Sequence, residues 1–295
     1  MKTATVSGIV SAALVGILLS LAKICFSGMT VVQFMLIVFG GTHLLFLGIL
    51  LVRLEGREIL SAGRHYPELY LVGIVGTALR SLQNWGLEVS SPTNAAILLR
   101  GDLLFSLVIG YLLWKEKLHP LEWVGMAGML VGVSLVLQIS WERFRLSAGG
   151  NILILGSAFL VAVNAEIIKH RLGQVENIVV AYFNSGMSLV FFLAGAFFTG
   201  ALNTLPKISI SAWVLACTGI ILQVVQYLCY YRSLEGLPTW LVRVVHLITP
   251  IMAMVTSAWW LHEKISMAQI LGMLVVGGGI MLVYTGHVKS CAENP

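Results

Sequence analysis

Seven ionisable side chains interrupt the long apolar runs of this sequence, and they are its best candidates for chemistry. Apolar runs of about 20 residues are long enough to cross a bilayer. A charge at bilayer depth costs about 2.5–3.5 kcal/mol even on insertion scales, so such residues usually face a cavity or an opposite charge. Arginines outnumber carboxylates among them, which favours a site for an anion. They are His43, Arg80, Arg100, Asp102, Glu166, Arg243 and His246.

Arg100 and Asp102 are two residues apart, so on one helix they point to different sides. Arg80 lies near the middle of the preceding apolar run and could reach the depth of Asp102. We therefore expect Arg80 and Asp102 to form a buried pair and Arg100 to face the cavity. A guanidinium there could bind a carboxylate or phosphate with its planar fork. The alternative is that both arginines only join helices.

Arg243 and His246 are three residues apart and so share one helix face, just before Pro250. We predict that Arg243 is a second ligand for the anion. His246 is either a proton acceptor or a hydrogen-bonding residue of the core. Pro250 either kinks the helix, as a hinge could use, or is simply tolerated in a membrane span.

Glu166 and His43 are candidates for proton coupling or for charge pairing. A carboxylate in a partly dry site can have its pKa pushed towards neutrality. Glu166 also lies three residues before Lys169, a spacing that permits an ordinary helical ion pair. His43 follows Gly40, Gly41 and Thr42 and is the weaker candidate.

Neutral polar and aromatic residues complete the predicted site. The amides could line water or substrate, or bond a neighbouring helix. Aromatic residues near the ends of spans commonly anchor at the membrane interface, and we interpret the tyrosines Tyr227, Tyr230 and Tyr231 in that way. Trp85 could be an anchor of the same kind or a substrate contact. The predicted substrate contacts are Arg80, Arg100, Arg243, His246, Trp85, Asn164, Gln223 and Gln226, with Asn184 as a further neutral companion.

The elements that carry these residues are predicted to be membrane helices. The chain is 58% hydrophobic and only 11% charged, with a mean hydropathy of +0.92, which a water-soluble globule of this size could not accommodate. In lipid the backbone must satisfy its own hydrogen bonds, so each apolar run is predicted to be a helix. Ten spans result, at residues 4–26, 31–52, 69–87, 93–114, 121–139, 151–168, 178–199, 212–231, 238–261 and 267–284.

The two halves of the chain resemble each other. Residues 113–118 (LWKEKL) match residues 260–265 (WLHEKI), and Leu87 and Glu88 match Leu234 and Glu235 at the same offset. We predict two five-helix repeats, at 1–140 and 149–286, followed by a cytoplasmic tail at 287–295. Five is odd, so the second repeat would be inverted, with the substrate cavity between the repeats.

The distribution of basic residues predicts which way the chain is inserted. With the N-terminus inside, ten Lys and Arg residues fall on the cytoplasmic side and five on the other. Cytoplasmic loops carry the excess of positive charge, so both termini are predicted to be cytoplasmic. Because these basic residues are scattered at the ends of spans rather than gathered into a stripe, we do not expect a nucleic-acid partner.

Several kinds of chemistry lack their sequence signature. The chain contains no G-x-x-x-x-G-K-[ST] phosphate loop, no H-E-x-x-H zinc motif and no G-x-S-x-G nucleophile elbow. The four cysteines lack metal-ligand spacing. We therefore expect no cofactor, no metal and no enzyme activity. A membrane-embedded enzyme acting on a lipid-linked substrate, with Asp102, His246 or Glu166 as acid or base, is the alternative.

The duplicated stretches resemble the drug/metabolite transporter superfamily, specifically its EamA-type ten-helix members. Residues 85–88 (WGLE), 93–96 (TNAA), 104–106 (LFS) and 113–117 (LWKEK) carry the resemblance, and 249–251 (TPI) with 262–264 (HEK) repeat it. Leu103 departs from the pattern, because Pro250 occupies the matching position of the second half. The resemblance implies a multi-pass protein of the plasma or inner membrane, a monomer or homodimer. It would export or pass a small polar metabolite by alternating access, with protons as a candidate coupling ion.

Overall fold

The computed structural model describes residues 2–52, 62–114, 119–137, 147–237, 242–243 and 245–293. All regular secondary structure in these ranges is helical. Eleven of the helices have seven or more residues. They are α1 (Lys2–Cys25), α2 (Val31–Val52), α3 (Glu68–Val89), α4 (Pro92–Leu98), α5 (Gly101–Trp114), α6 (Pro120–Leu137), α7 (Ser147–Arg171), α8 (Asn177–Phe198), α9 (Ile210–Gly236), α10 (Ile248–Trp260) and α11 (Met267–Glu293).

Seven segments of the described chain are long and apolar enough to cross a membrane. The protein is therefore a multi-pass membrane protein, as its composition predicted. The prediction of ten spans also needs α3, which carries Arg80 in its interior, and the shorter helices α6 and α10. The seven segments are Thr3–Cys25, Val31–Val52, Pro92–Ile109, Gly149–Ile168, Asn177–Phe198, Ile210–Ser233 and Met267–Gly286.

The fourth predicted span of the first half is interrupted. α4 begins with Pro92 after Ser91, whose hydroxyl accepts a hydrogen bond from the Asn94 amide at 3.2 Å, an ordinary helix start. It stops at Leu98, and α5 begins at Gly101. Across this gap the backbone tightens, because the amide of Arg100 donates to the carbonyl of Ile97 at 3.0 Å.

A matching interruption occurs in the second half. The amide of Thr249 donates to the carbonyl of His246 at 3.0 Å, and α10 then begins at Ile248. Pro250 falls in the first turn of α10, where a missing N–H costs no helical hydrogen bond. Each of the spans predicted at 93–114 and 238–261 therefore contains a turn, at 99–100 and at 246–247, that the sequence did not predict. Backbone of this kind is tolerated at membrane depth where it lines a cavity or is covered by protein.

The described helices pack mainly across the predicted repeats. α6 packs on α11, and α2 packs on α8. The contact between α3 and α7 has an equivalent between α9 and α1, and the contact between α5 and α7 has an equivalent between α10 and α1. Exchanging α1 with α7, α2 with α8, α3 with α9, the α4–α5 pair with α10, and α6 with α11 leaves this set of contacts unchanged.

Glycines at equivalent positions of the two halves make equivalent contacts between α6 and α11. A Cβ on Gly125 would lie 2.5 Å from the carbonyl oxygen of Gly279, and a Cβ on Gly132 would lie 2.9 Å from that of Gly272. In the offset of 147 residues that relates the halves, Gly125 corresponds to Gly272 and Gly132 to Gly279. Small residues let α6 and α11 approach this closely, as expected of helix pairs in lipid.

Two apolar cores flank the middle of the bundle. The larger one includes Leu19, Phe34 and Ile97, and the other includes Phe46 and Leu69, all buried. Because helices from both halves contribute to each core, the polar residues between them are held on well-packed supports.

Candidate functional site

A cavity of about 230 Å³ opens between the two cores. Drug-sized ligands occupy pockets of about 300–1,000 Å³, so this space suits a smaller molecule. Its wall comes from α1, α2, α3, α7, α8 and α9 and from both helix interruptions. The polar lining residues are Arg80, Gln83, Asn84, Arg100, Asp102, Asn164, Asn184, Gln223, Gln226, Tyr227, Tyr230, Tyr231 and His246.

The first interruption places Arg100 and Asp102 on the cavity wall, both nearly fully buried. Asp102 accepts from Nη1 of Arg243 at 3.2 Å and, through Oδ1, from the backbone amide of Leu103 at 2.9 Å. The ion pair thus joins the first turn of α5 to the residues that precede α10. Within the described chain, Nε of Arg100 is buried without a hydrogen-bond partner.

The predicted pair between Arg80 and Asp102 was wrong. α3 turns the Arg80 side chain towards α8 and α9, whereas Asp102 faces the second interruption, where Arg243 is closer. Arg243 is consequently held by a carboxylate and does not line the cavity. Arg100 does line the cavity, as expected, although the partner of Asp102 is Arg243 and not Arg80.

Arg80 is buried, with only 6% of its surface exposed, in a site made of neutral groups. Its Nη1 donates to Oδ1 of Asn184 at 2.8 Å and to the hydroxyl of Ser188 at 3.4 Å, and its Nη2 donates to the hydroxyl of Tyr227. The guanidinium also lies over the ring of Phe39, 4.9 Å from its centroid. Cation–π contact and hydrogen bonds stabilise the charge. No carboxylate of the described chain pairs with it.

The amide side chains of Gln223, Gln226 and Asn164 and the imidazole of His246 form a second polar region of the cavity wall. Gln223 donates to Gln226 at 3.0 Å, and Gln226 donates to the hydroxyl of Ser11 at 3.2 Å. Among the described residues, Oδ1 of Asn164 and Nε2 of His246 are buried without hydrogen-bond partners. Unsatisfied polar atoms in a cavity wall are unfavourable unless water or a ligand bonds them.

Comparison with known proteins identifies the family. The model of the EamA-like transporter family matches residues 2–138 and again residues 148–285. The chain belongs to the EamA-like transporter family. The resemblance noted in the sequence is thereby confirmed, and family membership indicates a transporter of the drug/metabolite type rather than an enzyme.

Individual relatives of this EamA-like chain are distant. An uncharacterized transporter of Bacillus subtilis (strain 168) is 26% identical over 74% of this chain and 71% of its own length. A probable amino-acid metabolite efflux pump of Escherichia coli (strain K12) is 22% identical over 74% of this chain and 80% of its own. A solved crystal structure superposes with a TM-score of 0.68 at 16% identity, covering 97% of this chain and 98% of the other. That likeness concerns the fold alone.

Three of the predicted site residues of this EamA-like protein lie away from the cavity wall, besides Arg243. Trp85 is 44% exposed. The Nδ1 of His43 lies 3.3 Å from the hydroxyl of Ser185, between α2 and α8. Glu166 is 3.2 Å from Nε2 of His170, one helical turn away. The predicted Glu166 pair with Lys169 involves a side chain outside the described residues.

Three tyrosines that we interpreted as interfacial anchors line the cavity, a role that the sequence analysis did not assign to them. Tyr227, Tyr230 and Tyr231 belong to the last turns of α9 and face the cavity, and the ring of Tyr230 lies 5.7 Å from that of His246. For Tyr227, the duplication contained a signal that links it to the site. Tyr227 stands 147 residues after Arg80, so these two contacting residues occupy equivalent positions of the two halves.

The cavity of this EamA-like transporter carries surplus positive charge. Asp102 and Arg243 neutralise each other, whereas neither Arg80 nor Arg100 has a carboxylate partner in the described chain. No group of three or more His, Cys, Asp or Glu residues in the described ranges could hold a metal ion. The arrangement therefore offers donors and positive charge to a small ligand.

Proposed function

We propose that this EamA-like protein transports a small polar metabolite that carries an anionic group, by alternating access. One observation carries the proposal: Arg100 lines the cavity at a helix interruption, is buried, and among the described residues has no hydrogen-bond partner for its Nε. A buried guanidinium without a counter-charge is costly, and a bound carboxylate or phosphate would remove that cost.

The architecture that we propose for this activity is ten spans in two inverted five-helix repeats, 1–140 and 149–286, around the cavity. The exchange of helix contacts between the halves and the matched interruptions at 99–100 and 246–247 support it. Discontinuous helices at the repeat interface are typical of substrate sites in secondary transporters. The termini would be cytoplasmic, in the plasma or inner membrane.

The wall residues take different roles in this proposal. Arg100 binds the anion directly, with His246 and Asn164 supplying further hydrogen bonds. Asp102 holds Arg243 and so joins the two interruptions, which would move relative to each other as access alternates. Gln223 and Gln226 bond the remainder of the substrate. Protons remain a candidate for the coupling ion.

The names of two relatives include a substrate class. Those from Escherichia coli and Salmonella typhimurium are named probable amino-acid metabolite efflux pumps. Amino acids are therefore candidates here, together with other carboxylates and phosphorylated compounds. Export would agree with those names.

Counterflow in proteoliposomes tests the role of Arg100. A set of radiolabelled carboxylates and phosphorylated metabolites is offered to the wild-type protein, to Arg100→Gln and to Arg100→Lys. We expect Arg100→Gln to lose at least about 90% of counterflow, because a charge-assisted hydrogen bond contributes about 1.5–3 kcal/mol. Arg100→Lys should keep part of it, since a point charge replaces the fork.

A matched control separates this loss from poor folding. Trp85→Phe changes a large exposed residue of α3 that does not line the cavity. It should transport like the wild type. Normal counterflow by a well-folded Arg100→Gln protein would contradict the proposed site.

A further inference from the structure

The hydrogen bonds of Arg80 determine what its neighbours can offer a ligand. Tyr227 has one hydroxyl, and its oxygen accepts from Nη2 of Arg80. The guanidinium has no acceptor atoms, so the direction of this bond cannot be reversed. The hydroxyl proton of Tyr227 is therefore left to donate elsewhere, and Tyr227 lines the cavity.

Asn184 is constrained in the same way. Its Oδ1 accepts from Nη1 of Arg80 at 2.8 Å, which settles the orientation of the side-chain amide. The Nδ2 group can then only donate: one of its protons hydrogen-bonds the Tyr231 side chain, and the other remains as a donor on a residue that also lines the cavity. Ser188 has its hydroxyl proton directed to the carbonyl of Asn184 at 3.0 Å, so it does not reverse this pattern.

The region around Arg80 therefore presents donors and positive charge to the cavity. It lies against α2, α8 and α9, whereas Arg100 lies at the interruption between α4 and α5. The two arginines share no hydrogen-bond partner in the described chain. A ligand held by Arg100 at one end would meet the donors Tyr227 and Asn184 with another part of its structure.

We infer that Arg80 is a positioning residue, which turns Tyr227 and Asn184 into donors that select a hydrogen-bond acceptor on the part of the substrate remote from Arg100. The substrate class is then an anion with a second acceptor, such as a carboxylate, carbonyl or phosphate. An ammonium group is disfavoured at that place, because donors and a fixed cation repel it. This inference rests on the proposed function, in which Arg100 binds the first anionic group.

Three probes of equal chain length separate the two regions. Succinate, butyrate and β-alanine share one carboxylate and differ at the remote end, which is a carboxylate, a methyl group or an ammonium group. Their binding to purified protein in nanodiscs is measured by isothermal titration calorimetry. We expect succinate to bind about tenfold more tightly than butyrate, since a hydrogen bond to a charged group is among the strong ones, and β-alanine to bind least.

The variant Tyr227→Phe tests the donor itself. It removes one hydroxyl but keeps the ring that the Arg80 guanidinium covers at 5.5 Å. The advantage of succinate over butyrate should fall about tenfold, while the affinity for butyrate stays within about twofold of the wild type. A merely structural role would weaken both probes equally.

Arg80→Gln tests the positioning role. It frees Tyr227 and Asn184 to accept, so the advantage of succinate should be lost and β-alanine should bind more tightly than in the wild type. If this variant does not fold, the Tyr227→Phe result decides alone.

The outcomes separate the two proposals. Equal binding of succinate and butyrate by the wild type, or preference for β-alanine, would overturn the inference about Arg80 and leave Arg100 in place. Loss of succinate and butyrate binding in Arg100→Gln supports the proposed function. Failure of the wild type to bind any of the three probes would overturn the inference about Arg80, whereas the counterflow of Arg100→Gln decides the proposed function.

Discussion

The ion pair between Asp102 and Arg243 gives the sharpest test of how the two halves are joined. The change is Asp102→Asn, which keeps the shape of the side chain but removes its charge. At the 3.2 Å separation and an effective dielectric constant of about 20, the attraction amounts to about 5 kcal/mol before desolvation is subtracted. Both side chains are almost buried, so the remaining arginine would keep an uncompensated charge inside the bundle.

We expect Asp102→Asn to lower the free energy of unfolding by about 3 kcal/mol, the low end for breaking a buried pair, because Asn can still accept one hydrogen bond. Arg243→Met should cost a similar amount by stranding the carboxylate. The double variant should lose much less than the sum, since no unpaired charge remains. Unfolding is followed in detergent micelles by near-UV circular dichroism against denaturant.

A second, more exposed carboxylate contact serves as the control. Glu166 and His170 are also 3.2 Å apart but more exposed, so Glu166→Gln should cost less than about 1 kcal/mol. Additive losses in the Asp102→Asn and Arg243→Met cycle would refute the reasoning, because they would mean that the two residues do not stabilise each other. Equal costs for the Asp102 and Glu166 variants would refute the argument from burial.

Two further predictions concern the packing and the orientation. Gly125→Ala places a Cβ 2.5 Å from the carbonyl oxygen of Gly279, and should lower the thermal unfolding temperature through about 1–3 kcal/mol of overpacking, whereas Gly277→Ala, with nothing within 4 Å, should be neutral. Equal effects of the two alanines would contradict the close contact of α6 and α11. Epitope tags at the two termini should both be inaccessible from outside intact cells, because Lys and Arg are concentrated on the side that the termini share. Labelling of either tag from outside would contradict that topology.

Much of the fold could be predicted because membrane helices are specified locally. Each apolar run must satisfy its own backbone hydrogen bonds in lipid, so length and hydropathy suffice to place it. α2 and α8 begin and end where the sequence predicted to within a residue. The duplication could also be recognised in the sequence, because both halves retain similar residues at the ends of equivalent helices.

The interruptions of the fourth helix in each half could not be predicted in this way. Residues 93–114 are apolar enough to form one continuous helix, and nothing in the run itself forces a break at Leu99 and Arg100. A break becomes tolerable only when other helices cover the freed backbone groups or when it borders a cavity. Those helices come from distant parts of the chain.

The amino-acid sequence by itself determined that this protein lies in a membrane, where its helices are, that its halves are duplicated, and that positive charge is in excess within the spans. Hydropathy and charge are properties of each segment and do not depend on its neighbours. The tertiary structure alone decided which charges meet. It paired Asp102 with Arg243 instead of Arg80, surrounded Arg80 with Asn184 and Tyr227, and left Nε of Arg100 without a hydrogen-bond partner in the part of the chain that the structure describes. The physical reason is that an ion pair depends on separations of a few ångströms between helices, and those separations are set by packing across the two halves.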